Sequence, residues 1–159
     1  LNTIAAEALD EIATRLEKAK DKNKEVASIV KEAWQKHSRV VFNGNYLLYF
    51  DVAFTEYWRH TGLPDPLAQQ AAGAELFVRK AQIEYHGSAG FDDEIDIGVR
   101  CARLGRSSMT MALAIFRGDE HLIDGELVYV YADAQAKKST PIPEAWRERI
   151  KAIERVLPA

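Results

Sequence analysis

At 159 residues and 47% apolar composition, the chain is long enough for one domain with a real core, and its balance is that of an ordinary globular protein. A net charge of −3, with basic residues mostly alternating with acidic ones, supplies no field to hold a nucleic-acid backbone, so nucleic acid is not an expected partner. No apolar run approaches the ~20 residues needed to span a bilayer, and the first residues lack the basic-then-apolar order of a signal peptide, so a soluble, cytoplasmic protein with no membrane partner is expected.

In chain order, residues 3–20 place Ile4, Ala8, Leu9, Ile12, Leu16 and Ala19 on one helical stripe. After a polar Asp21-Lys22-Asn23-Lys24 break, Val26, Ile29, Val30, Ala33 and Trp34 repeat that spacing, with Asn23 as the N-cap. The pattern predicts a helical hairpin over residues 1–38, an N-terminal extension whose wealth of Ala, Glu and Lys suits a natural or a designed element alike. The chain opens on Leu1 rather than Met, from which a trimmed or processed start is expected.

Residues 39–159 form the second predicted unit. A polar turn at Asn43-Gly44-Asn45 feeds a helix over residues 46–60 that is apolar on nearly every side, which predicts burial all round. From residue 75 the period changes to alternation, and strands are expected near 76–86, 94–103, 106–117 and 121–132. Gly105 and Gly118-Asp119 mark two tight hairpins, whereas His86 to Asp93 reads as a longer loop. Beyond Pro141 and Pro143, the residues Trp146, Ile150, Ile153 and Leu157 predict a short amphipathic C-terminal helix. The fold class is therefore α+β, an antiparallel sheet wrapped around one helix. Cys101 is the only cysteine, so no disulfide forms within one chain, and its alternation with Ile97 and Val99 places it in the core.

The run Val40-Val41-Phe42-Asn43-Gly44-Asn45-Tyr46, together with Phe77 to Tyr85, Arg103-Leu104-Gly105-Arg106-Ser107-Ser108 and Ser139-Thr140-Pro141-Ile142-Pro143, resembles the hotdog-fold acyl-CoA thioesterases of the 4-hydroxybenzoyl-CoA and YbgC-like group. The resemblance covers residues 39 to about 150 and fails over residues 1–38, where that family carries a first strand ending in Asp-x-Asp-x-x-Gly. It implies a hotdog fold, a homodimer or homotetramer, and hydrolysis of an acyl-CoA thioester. Coenzyme A would then be part of the substrate, and no separate cofactor is implied.

Thioester hydrolysis needs a group that activates water and donors for the oxyanion. By resemblance, the Asn43 N–H holds the thioester carbonyl, at a helix N-terminus whose dipole favours negative charge. The family's catalytic carboxylate falls on Lys36, a cation that cannot act as a base at neutral pH. The base is sought instead at His37, whose ordinary pKa of ~6.5 suits the task, or at Asp51 and Glu56. Another branch of hotdog thioesterases carries its carboxylate on the central helix. Against this stand a solvated His37 and i,i+4 pairing of Asp51 with Thr55 and of Glu56 with His60. Arg103, Arg106 and Ser107 flank a tight turn where cations and a hydroxyl could meet the phosphates of coenzyme A, with Lys137 and Lys138 as weaker candidates. The aromatic set from Phe42 to Trp58 could line an acyl pocket or simply form core. His60, His86 and His121 show no spacing with carboxylates that suggests a metal, so no metal is expected. The lost carboxylate position keeps two further readings open, a catalytically silent or engineered hotdog scaffold and an acyl-CoA binding module.

Overall fold

The structure, a computed structural model, describes residues 40–65, 68–69 and 72–159. The hairpin expected over residues 1–38, with Lys36 and His37, lies outside the described residues. The chain divides into two compact units, Leu1–Leu47 with Ser88–Glu94, and Leu48–Gly87 with Ile95–Ala159.

The elements follow the order α1 (Gly44–Thr61), β1 (Ala74–Tyr85), β2 (Asp96–Leu104), β3 (Ser108–Arg117), β4 (Glu120–Asp133) and α2 (Glu144–Ile153). The strands make one antiparallel sheet in the order β1-β4-β3-β2. The hotdog-type α+β arrangement implied by the sequence is thus present.

In the first unit, Val40 and Gly90 form an isolated antiparallel bridge, and the Val41 N–H donates to the Ala89 carbonyl at 2.8 Å. The buried Tyr46 hydroxyl accepts from the Ala89 N–H at 2.8 Å, which fixes the loop on the residues before α1.

In the second unit, the sheet presents alternate residues to the helix. β3 follows the period of two strictly, burying Met109, Met111, Leu113 and Ile115 while the residues between them stay half-buried. From Leu48 onward, α1 buries Phe50, Ala53, Tyr57 and Trp58 on one stripe. Phe54 stacks on Tyr129 of β4 with ring centroids 4.1 Å apart, and Trp58 meets Trp146 of α2 edge-on at 5.4 Å.

Burial of α1 all round does not hold. Leu48 and Val52 are each 55% exposed, and Asp51, Thr55, Glu56 and Arg59 share that outward side. One sheet can cover only one flank of a helix, so among the described residues the flank that carries Leu48 and Val52 beside these polar side chains is left uncovered.

α2 is also shorter than its pattern predicts. It stops at Ile153, where Glu154 takes an extended backbone, and Val156 and Leu157 stand exposed. Ala159 then pairs with the outer edge of β2, accepting from the Leu104 N–H at 2.9 Å and donating to the Ala102 carbonyl at 3.0 Å.

Candidate active site

The turn before α1 closes as its sequence demands. The Asn45 N–H donates to the Phe42 carbonyl at 2.8 Å, and the Tyr46 N–H to the Asn43 carbonyl at 3.3 Å, so Asn43 sits at the threshold of the helix. Gly44 has its own packing reason. A β-carbon there would lie 2.9 Å from Cε1 of Phe42, so the ring fills the space a side chain would need.

The outward side of α1 lines a cleft of about 390 Å³ with Asp51, Phe54, Thr55, Trp58, Leu76, Val78 and Tyr129 among its walls. Most of that wall is apolar, and Asp51 is exposed within it. The Thr55 hydroxyl donates to the backbone carbonyl of Asp51 at 2.9 Å, as i,i+4 spacing allows, and this leaves the Asp51 carboxylate outside that bond.

Tyr129 has no counterpart in the sequence reading. Its side chain is 4% exposed, and among the described residues its hydroxyl is the buried side-chain polar atom without a hydrogen-bond partner. Burial, and then the nearby negative charge of Asp51, hold that hydroxyl well above the usual phenol range. It is therefore a protonated donor at neutral pH, and leaving a buried donor unpaired costs about 1–3 kcal/mol.

The other predicted residues separate. Glu56 is exposed and pairs with Arg59, not with His60, as i,i+3 neighbours on the helix surface. Of the aromatic set, Phe54 and Trp58 line the cleft, whereas Phe50 and Tyr57 are buried in the core.

Arg103 and Arg106 are exposed around the β2–β3 turn. That turn is held from below by Arg147, whose Nη1 donates to the Gly105 carbonyl at 2.6 Å. Ser107 instead faces a second cleft, of about 560 Å³, lined also by Phe77, Arg79, Ser108, Lys137 and Ser139. Lys137 lies over the Phe77 ring with Nζ 4.4 Å from its centroid. Two cations and three hydroxyls therefore face one opening, and Arg79 stands two residues from Phe77, where a register shift between Val78 and Lys80 interrupts the β1–β4 ladder.

His86 and His121, read from sequence as surface or packing residues, meet at Asp124. The His86 Nε2 lies 2.9 Å and the His121 Nε2 3.1 Å from its carboxylate oxygens. His60 stays apart from this group.

Comparison with known proteins bears on the chain as a whole. A family model described as thioesterase superfamily matches residues 39–123. The acyl-CoA thioester hydrolase YbgC of Escherichia coli is 27% identical over 110 residues, 67% of this chain and 79% of that protein. Among solved structures, a thioesterase from Thermus thermophilus complexed with coenzyme A and zinc is 29% identical, with a TM-score of 0.59 over 71% of this chain and 80% of its own. The PA5185 protein of Pseudomonas aeruginosa is 27% identical, with a TM-score of 0.63 over 74% and 81%. With more than half its length matched by that family model, the chain belongs to the thioesterase superfamily.

Proposed function

We propose that the protein hydrolyses an acyl-CoA thioester to the free acid and coenzyme A, with Asp51 as general base. The observation that carries this reading is the Asp51 carboxylate beside the unpartnered Tyr129 hydroxyl in a largely apolar cleft on the central helix. Asp51 takes a proton from water, whose oxygen attacks the thioester carbonyl. The C–S bond then breaks, and the coenzyme A thiolate leaves and takes up the proton. Tyr129 donates to an oxygen of the bound substrate, while for the Asn43 N–H the role of oxyanion donor rests on the family resemblance alone.

For the coenzyme A phosphates, Ser107, Arg79 and Lys137 are the favoured contacts, because they face one cleft, with Arg103 and Arg106 as outer cations. We also infer a homodimer or a larger homo-oligomer. The exposed Leu48 and Val52, with Val78 at 56% exposure on the edge strand β1, supply apolar surface for a second copy.

Release of free thiol from short, long and aromatic acyl-CoAs tests the reaction. Turnover by the unmodified chain is expected, falling by about 10²–10⁴-fold in Asp51→Asn and hardly at all in Glu56→Gln. Full activity in Asp51→Asn would remove Asp51 from the mechanism. Sedimentation of the purified chain at a single-copy mass would remove the oligomer.

A further inference from the structure

A β-strand sends residues three apart to opposite faces, yet His121 and Asp124 of β4 touch. The ladder explains this. Across the β3–β4 pair, Ile115 faces Ile123 while Phe116 faces His121, so Leu122 is an extra residue with no partner on β3. Such a bulge re-aims the side chains on either side of it. The Leu122 carbonyl is then taken on the other flank by the N–H groups of His86 at 2.8 Å and Gly87 at 2.9 Å, which brings His86 over the same spot. Phe116 stacks on the His121 ring at 4.8 Å between centroids, and the two imidazoles lie 4.9 Å apart.

We propose that His86, His121 and Asp124 form a binding site for a divalent transition-metal ion, with zinc as the representative cation. Each residue offers one ligand atom, and these atoms lie within 4.8 Å of one another. Zinc holds imidazole nitrogen at about 2.0–2.1 Å and carboxylate oxygen at about 2.0–2.2 Å, which sets tetrahedral ligand atoms roughly 3.3 Å apart. Each histidine already has a carboxylate oxygen near that spacing, His86 Nε2 at 2.9 Å from Oδ2 and His121 Nε2 at 3.1 Å from Oδ1 of Asp124. Two imidazoles and a carboxylate suit zinc, cobalt or nickel rather than magnesium or calcium, which prefer all-oxygen sets. All three side chains are solvent-accessible, so the ion can enter and water can take its fourth position. The site uses neither Asp51 nor the Ser107 cleft, and it stands or falls apart from the proposed hydrolysis.

The test is calorimetric titration of zinc chloride into metal-stripped, tag-free full-length protein, with melting temperature as a second readout. One zinc per chain is expected, with a raised melting temperature, and His86→Ala or His121→Ala should each weaken binding by at least about tenfold. Both positions are exposed, so the metal-free variants should melt with the parent protein. The double variant His37→Ala/His60→Ala should bind as the parent does. No saturable uptake, uptake indifferent to His86 and His121, or uptake lost with His37 and His60 would each overturn the site.

Discussion

Phe50 of α1 occupies the place that a side chain at Gly125 of β4 would need. A β-carbon on Gly125 would lie 2.5 Å from Cζ of Phe50, closer than carbon atoms tolerate, and Phe50 itself is fully buried. Gly125→Ala is therefore expected to lose about 1–3 kcal/mol of stability through overpacking. In a Phe50→Leu background the added methyl should cost clearly less. Urea denaturation of the four proteins gives the coupling, and equal costs in both backgrounds would show that the ring is not what excludes the side chain.

The orphaned hydroxyl of Tyr129 separates stability from activity. Tyr129→Phe removes a buried donor that has no partner among the described residues, so the melting temperature should hold or rise. Its loss of a substrate bond worth about 0.5–1.5 kcal/mol should lower kcat/KM by up to about tenfold. A fall in melting temperature with unchanged kinetics would reassign the hydroxyl to structure.

Arg147 reaches the β2–β3 turn from α2, with Nη1 on the Gly105 carbonyl at 2.6 Å and Nη2 on the Leu104 carbonyl at 3.4 Å. Arg147→Met should loosen the turn that carries Arg106 and Ser107, raising KM for acyl-CoA severalfold with kcat nearly constant. Lys137→Ala should raise KM in the same way, and its effect should shrink as salt screens the phosphate contact. A kcat effect without a KM effect in either variant would detach the second cleft from coenzyme A.

Alkaline conditions should unfold the chain through Cys101. Burial, and then the charge of Glu154, push its thiol from an ordinary 9.0 up to about 12. Between those values the folded thiol keeps a proton that the unfolded one has lost. Its contribution is therefore complete below pH 9 and declines as pH rises towards 12, a loss on the order of a few kcal/mol. The hydroxyls of Tyr57 and Tyr129, both held up by burial, add to the decline above pH 10. Denaturation at pH 8, 9 and 10 should show a shallower early decline in Cys101→Ala. Parallel slopes would place the alkaline loss elsewhere.

The four strands and both described helices could be read from the sequence because most of each carries a single period, β3 most plainly. Bulges broke that reading at particular residues. A shift between Cys101 and Arg103 lets Cys101 and Leu104, three apart, both face the core. The Leu122 bulge likewise joined His121 to Asp124, which strict alternation keeps apart. Tyr129 escaped notice because a tyrosine on the inward face of a strand reads as core. What sets it apart is a buried hydroxyl with no hydrogen-bond partner among the described residues. The outward flank of α1 was misjudged for a different reason, since composition cannot tell a helix enclosed all round from one that its sheet covers on one flank only.

One oxygen joins three distant stretches of the chain. The Oε1 atom of Glu154 accepts from the Tyr57 hydroxyl at 2.7 Å and from the Cys101 N–H at 2.5 Å, binding α1, β2 and the end of α2 at a single point. None of the three can open without leaving one of these half-buried partners unpaired. Amide hydrogens of these segments should therefore exchange at a common rate, as one cooperative unit, and Glu154→Gln should let α2 exchange ahead of the other two.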